Sequence, residues 1–227
     1  GFIQFQELEK AASPRTLRNY SQALAAFQTH LELSTFPGWK SCTQEHFRDY
    51  LYHCMQLEMA RSTIRLRFSA LRSFYKYLVH RHGLAKSPLV DLQLPKQQRK
   101  LPSVLNQKQV IELLEAPLKA ELSKQAPEWL PLRDTAILEL FYSSGLRLSE
   151  LAEITVENID HQQGVAKILG KGARERLVPI GSYALTAIQR YRALAGVSSG
   201  ILFINKSRRG ISTHSIGCML RKYLRMT

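Results

Sequence analysis

One segment limits the folds open to this chain more than any other. Pro88 to Pro102, which includes the run LPKQQRKLP, carries three prolines and no helical period. Each proline fixes φ and removes a backbone donor, so neither a helix nor a central strand continues through it. The chain is therefore expected to fold as two units, 1–87 and 103–227, on either side of a semi-extended linker at 88–102.

The first unit reads as helices. Ser13-Pro14 is a start signal, and Leu17, Tyr20, Leu24, Phe27 and Leu31 then recur at steps of three and four. Pro37-Gly38 ends that pattern, and a second helix is predicted over about Thr43–Gln56, with Phe47, Tyr50, Leu51 and Cys54 on one side. A third is predicted over Arg61–Arg81. Ile64, Phe68, Leu71, Tyr75 and Leu78 share its apolar face, while Arg61, Arg65, Arg72 and Lys76 fall on an adjacent arc about 60° wide.

The second unit mixes elements. Helices are predicted at Gln107–Glu115 behind an Asn106 cap, at Pro131–Ser144, from about Ser149, at Ser182–Leu194 and at Thr213–Arg225. Val165–Leu169 and Arg176–Ile180 read as short strands around Gly170-Lys171-Gly172, a glycine-flanked hairpin tip. The fold class is mainly α with a small β-hairpin or sheet.

Charge suggests the partner. The 227 residues carry 32 Lys plus Arg against 18 Asp plus Glu, a net charge of +14. That balance favours a polyanion, with nucleic acid the commonest, although a ribosomal or membrane-surface protein has the same balance. From Arg61 to Lys100 there are ten basic residues and one acid, Asp91. Arg61, Arg65, Arg72 and Lys76, continued by Lys96, Arg99 and Lys100, suit a phosphate track along a groove wall. A solvated helix face is the plainer alternative, but such faces usually mix both signs.

Other classes fall away. No apolar run approaches the about 20 residues that span a bilayer, and GFIQFQELEK lacks the pattern of a signal peptide. Cys42, Cys54 and Cys218 lie far apart, as expected of free thiols in a reducing cytoplasm. There is no P-loop and no clustered carboxylate set, so no metal, nucleotide or other small-molecule cofactor is expected.

Two clusters can carry chemistry. In Gly145-Leu-Arg-Leu-Ser-Glu-Leu151, a glycine turn presents Arg147 beside a helix that Ser149 can cap, with Glu150 in its first turn. The planar Arg147 fork can hold two phosphate oxygens, yet many ordinary helices begin with an arginine. In the second cluster, Lys171 sits between glycines on a thin hairpin tip, followed by Arg174 and Arg176. A lysine there can reach into a groove and donate a proton, yet GKG also makes an ordinary turn.

Together and in this order, GLRLSEL and GKGARERLVPI, behind SPRTLRNYSQALAAF and PKQQRKLP, resemble the tyrosine site-specific recombinases, closest to the Xer type that resolves chromosome dimers. The resemblance covers nearly the whole chain. It implies a SAM-like helical core-binding domain followed by an α+β catalytic domain, the two gripping duplex DNA. By the family's motif, Arg147 matches the first catalytic arginine, Glu150 the acidic residue supporting it, and Lys171 the lysine that protonates the leaving 5′ oxygen. Arg174 and Arg176 belong with the DNA contacts. The implied partners are double-stranded DNA, a second recombinase protomer or paralogue and a septal DNA translocase, with no membrane.

The sequence also departs from the pattern. The family's His-x-x-Arg box, a later His or Trp and the nucleophilic tyrosine find no match: His214 is followed by Ser, Ile and Gly, and Tyr223 precedes the place of the box. Tyr142 reads as part of an apolar stripe with Leu138, and Tyr183 and Tyr191 as helix residues. The chain is expected to bind DNA without cutting it. A phage or integron integrase of the same superfamily, or a non-catalytic DNA-binding regulator, are the alternatives. An RNA-binding module would want aromatic platforms on strands, whereas these aromatics sit at helical spacing.

Overall fold

A computed structural model describes residues 1–32, 35–96, 104–170 and 175–227. The expectations for Arg99, Lys100, Lys171 and Arg174 lie outside the described residues. The chain divides into two compact units, Gly1–Leu101 and Pro102–Thr227.

The first unit is helical: α1 (Phe2–Leu8), α2 (Pro14–Glu32), α3 (Gln44–Gln56) and α4 (Arg61–His82). Ser13 Oγ accepts the Thr16 N–H at 3.3 Å, so the serine satisfies a first-turn donor while Pro14 begins α2 without needing one. All five apolar residues of the α4 stripe are buried, and they meet Phe27 and Phe47, which stack at 4.5 Å between centroids. Each such side chain contributes about 1.5–3 kcal/mol by leaving water. Helix α1 closes one end, with Phe2 stacked on Tyr20 and edge-on to Phe74.

The segment after α4 is bound to this unit rather than free. Leu89 and Leu92 are buried in its core. Three arginines of α4 hold its backbone: Arg72 donates to the Leu92 carbonyl at 2.7 Å, Arg61 to Lys96 at 2.8 Å and Arg65 to Pro95 at 3.4 Å. The expected linker thus begins as a docked strap.

The second unit contains α5 (Gln107–Lys119), α6 (Leu130–Ser144), α7 (Leu148–Glu153), β1 (Ile159–Asp160), β2 (Val165–Leu169), β3 (Glu175–Pro179), α8 (Ser182–Ala195) and α9 (Thr213–Leu224). The strands form an antiparallel sheet in the order β1-β2-β3, with Ala166 opposite Val178 and Leu169 opposite Glu175. Alternation sends Ala166, Ile168 and Val178 into the core and leaves Lys167, Leu169 and Leu177 outside. Helix α6 packs against α5 and α8 at the centre.

A charged pair lies inside that centre. Arg133 and Asp134 are both buried; the guanidinium donates from Nε and an Nη to one Asp134 oxygen at 2.9 and 2.6 Å and to the Ile204 carbonyl at 2.8 Å. Tyr223 of α9 donates to the other Asp134 oxygen. Every partner is satisfied, which is the condition on which a buried charge is tolerated. Tyr142, expected on an apolar stripe with Leu138, is instead exposed while Leu138 is buried.

Among the described residues, no helix is long and apolar enough to cross a membrane, and no three His, Cys, Asp or Glu come together to hold a metal ion.

Candidate active site

The site starts from a helix end. Gly145 closes α6 at φ +60°, donating its N–H to the Phe141 carbonyl at 3.1 Å. A side chain at that position would be strained, so glycine allows the chain to reverse here. Leu146 is buried in the core and anchors the turn. Arg147 follows in extended conformation as the residue that caps α7, with its side chain 71% exposed.

Ser149 is not the cap that the sequence suggested. Helix α7 begins one residue earlier, and the Glu150 carboxylate reaches back to accept the Arg147 N–H at 2.8 Å. The anion nearest this helix start is thus a side chain of the protein itself.

Glu150 is the hub. Its side chain is only 8% exposed and both oxygens are doubly engaged. Oε1 accepts from Arg147 Nη1 at 3.0 Å and Arg176 Nη1 at 2.9 Å; Oε2 accepts from the Arg147 N–H and from Arg176 Nη2 at 2.8 Å. The Arg176 fork, then the Arg147 N–H and guanidinium, hold the carboxyl down to about 2 against the opposing effect of burial. Glu150 is ionised at any ordinary pH.

The two arginines differ. Arg176 presents two N–H groups to the two Glu150 oxygens, which only a planar guanidinium can do. Among the described residues, Arg147 gives Glu150 a single Nη1 bond from its side chain and has no other protein acceptor. The side chain is 71% exposed, and the Glu150 carboxylate holds it at Nη1 as well as at the backbone N–H.

The other expected site residues are spread over the first unit. Arg61, Arg65, Arg72, Lys76 and Lys96 are all exposed; the three arginines hold the strap, and Lys76 lies by Phe5 and Tyr77 on the α1 side of α4. Sequence reasoning placed Arg176 with the outward-reaching cations and missed its partner. The signal was present: on a strand, 176, 178 and 180 share a face, and Val178 and Ile180 are buried. Sequence reasoning also missed the Arg133–Asp134–Tyr223 group. Its only trace is an adjacent opposite-charge pair inside the apolar run LPLRDTAILEL.

Residues 103–226 match the Phage integrase family, and residues 1–82 match the phage integrase N-terminal SAM-like domain. The chain belongs to the phage integrase family. Within that family, the tyrosine recombinase XerC of Halalkalibacterium halodurans is 37% identical over 190 residues, covering 84% of this chain and 60% of that protein. The chain therefore spans less than two thirds of this relative's length. The tyrosine recombinase XerC of Syntrophus aciditrophicus is 33% identical over 244 residues, covering 100% of this chain and 76% of that protein.

A solved XerH site-specific recombinase, bound to its difH substrate in a pre-cleavage complex, matches with a TM-score of 0.70 at 17% identity, covering 99% of this chain and 66% of that one. At that identity the likeness is one of fold. The Xer-type resemblance drawn from GLRLSEL and GKGARERLVPI is borne out by these relatives. So is the expected fold: a helical SAM-like domain, then a mainly helical domain with a small antiparallel sheet.

Proposed function

We propose that this chain supplies the DNA-binding surface and part of the catalytic site of a Xer-type site-specific recombinase, which cuts and rejoins duplex DNA through a phosphotyrosyl intermediate. The observation that carries the reading is Arg147, exposed and oriented by an ionised Glu150 whose side chain is nearly buried, in a chain of the phage integrase family.

The chemistry follows from charge. Attack on a phosphodiester builds negative charge on the non-bridging oxygens, and a fixed cation stabilises that charge most where water is excluded and no reorganisation is needed. Arg147 holds the scissile phosphate; Glu150 orients it through its Nη1 and backbone N–H; Lys171 gives a proton to the departing 5′ oxygen. The nucleophile is a tyrosine that 1–227 does not contain. Tyr223 is 3% exposed and donates to Asp134, so burial and that carboxylate raise its pKa, and Tyr191 is buried with its oxygen accepting the Ile204 N–H. Such phenols cannot reach a DNA backbone.

Arg61, Arg65, Arg72, Lys76, Lys96, Arg99, Lys100 and Arg174 contact the DNA backbone. The arginines of α4 give their strap bonds to neutral carbonyls, so their positive charge stays available to phosphates. In the cell the enzyme acts in the cytoplasm, resolves chromosome dimers at division, and works with a second recombinase protomer or paralogue and a septal DNA translocase.

The test concerns Lys171 in the protein as encoded by its gene. Lys171→Ala should bind DNA nearly as well as the wild type and cleave it slowly. A substrate with a 5′-phosphorothiolate, whose sulfur leaves without a proton, should restore much of the rate. An unrescued variant would remove Lys171 as the proton donor.

A further inference from the structure

We propose that Arg176 is a positioning residue, one that takes the bidentate place on Glu150 and so leaves Arg147 tied by Nη1 alone, with the rest of its guanidinium open to a phosphate, rather than a contact to DNA. The inference rests on the functional reading above for the role of Arg147.

Three observations carry it. The Arg176 fork meets both Glu150 oxygens at 2.8 and 2.9 Å, whereas the Arg147 side chain meets one of them from a single nitrogen. Arg176 is 39% exposed against 71% for Arg147, and it lies on the inward face of β3 with Val178. It also bonds across 26 residues of sequence, tying β3, the strand into which the Lys171 segment leads, to the Arg147 turn.

The physical consequence is a competition. Glu150 is nearly buried and must be paired, and its two oxygens suit a single bidentate partner. With Arg176 present, that partner comes from the strand. Without it, the nearest fork is Arg147, three residues away, and a guanidinium folded down onto Glu150 no longer faces a phosphate. Arg176 thus acts through Glu150 on Arg147. A lysine cannot replace it, because an ammonium cannot span two oxygens in one plane.

The experiment uses the 227-residue chain and a duplex selected from a random pool by its own binding. Single methylphosphonates, which remove one phosphate charge each, are placed along that duplex. In the wild type, one position should weaken binding by about tenfold, the scale of one charged hydrogen bond. At that position Arg147→Ala should show no further loss, which marks the Arg147 phosphate.

Arg176→Ala and Arg176→Gln, with thermal melts to confirm folding, should lose most of the sensitivity at that one phosphate. The slope of log affinity against log salt should otherwise match that of Arg147→Ala. Arg176→Lys should not rescue. In a Glu150→Gln background, Arg176→Gln should add nothing, because the two act as one unit. If Arg176→Gln keeps full sensitivity at the Arg147 phosphate and loses it at another, Arg176 is a DNA contact and the proposal fails. Additive losses with Glu150→Gln overturn it as well. If no phosphate depends on Arg147 in the wild type, the functional reading itself falls, and this inference with it.

Discussion

Tyr223 donates its hydroxyl hydrogen to Asp134 at 2.8 Å, across 89 residues of sequence, and so fastens α9 onto α6 in the core of the second unit. The same carboxylate holds buried Arg133 through its other oxygen. Removing different members of this group should therefore cost different amounts. Tyr223→Phe leaves one acceptor lone pair unmet and should lower stability by about 1–3 kcal/mol. Asp134→Ala leaves a buried guanidinium without its counter-charge and should cost about 3–5 kcal/mol. Urea unfolding of the two variants checks the order; equal losses would mean that the pair with Arg133 contributes nothing beyond the tyrosine bond.

Affinity for duplex DNA should fall steeply with salt, since each neutralised phosphate releases about 0.9 of a counterion. Arg65→Glu and Arg72→Glu should each weaken binding on any sequence by more than Lys108→Glu, a change at an 85% exposed side chain of α5. Fluorescence anisotropy over a salt series measures this. The strap makes a second effect separable from the first: Arg72→Ala loses the bond to the Leu92 carbonyl, so amide exchange near 89–96 should quicken even without DNA.

Acid should act on Glu150. Its carboxyl is held at about 2 in the folded chain against an ordinary value of 4.5, chiefly by the Arg176 hydrogen bonds. The unfolded chain therefore binds a proton first as pH falls, so the stabilisation is complete above about pH 4.5 and is lost progressively toward pH 2. Glu150→Gln should be less stable at neutral pH and show a shallower decline over that acid window. Unfolding free energies at a series of pH values would show it; parallel curves for the two proteins would place the acid sensitivity elsewhere.

Much of the helical architecture was legible because single stripes are buried. Phe27 and Leu31 of α2, and the whole apolar face of α4, recur at helical spacing and lie in the core. Helix α1 was missed: with seven residues it shows barely two turns, and its buried pair is Phe2 with the polar Gln6. Strand β1 has two residues, too few for any alternation.

At the site, the glycine turn that presents Arg147 was legible and the pairing around Glu150 was not. Glycine and the following arginine mark the turn at 145–147, but whether Ser149 or the Glu150 carboxylate caps α7 depends on geometry that propensity does not carry. The Arg176–Glu150 bond joins segments 26 residues apart, and the α4 arginines meet carbonyls 20 to 35 residues away. A row of cations reads the same in sequence whether it faces DNA or the protein's own backbone.

The measurement that bears most directly on the proposed chemistry is covalent capture on a nicked suicide substrate, resolved on a denaturing gel. The protein as encoded by its gene should yield a DNA-linked band that protease removes, and Arg147→Ala should form it slower by a factor on the order of a hundred, as for loss of one transition-state charge partner. The 227-residue chain alone should bind the same duplex and form no such band. Equal rates for Arg147→Ala and the wild type, or a covalent band from the 227-residue chain itself, would contradict the assignment. The second result would put the reaction on Tyr142, Tyr183 or another tyrosine within 1–227.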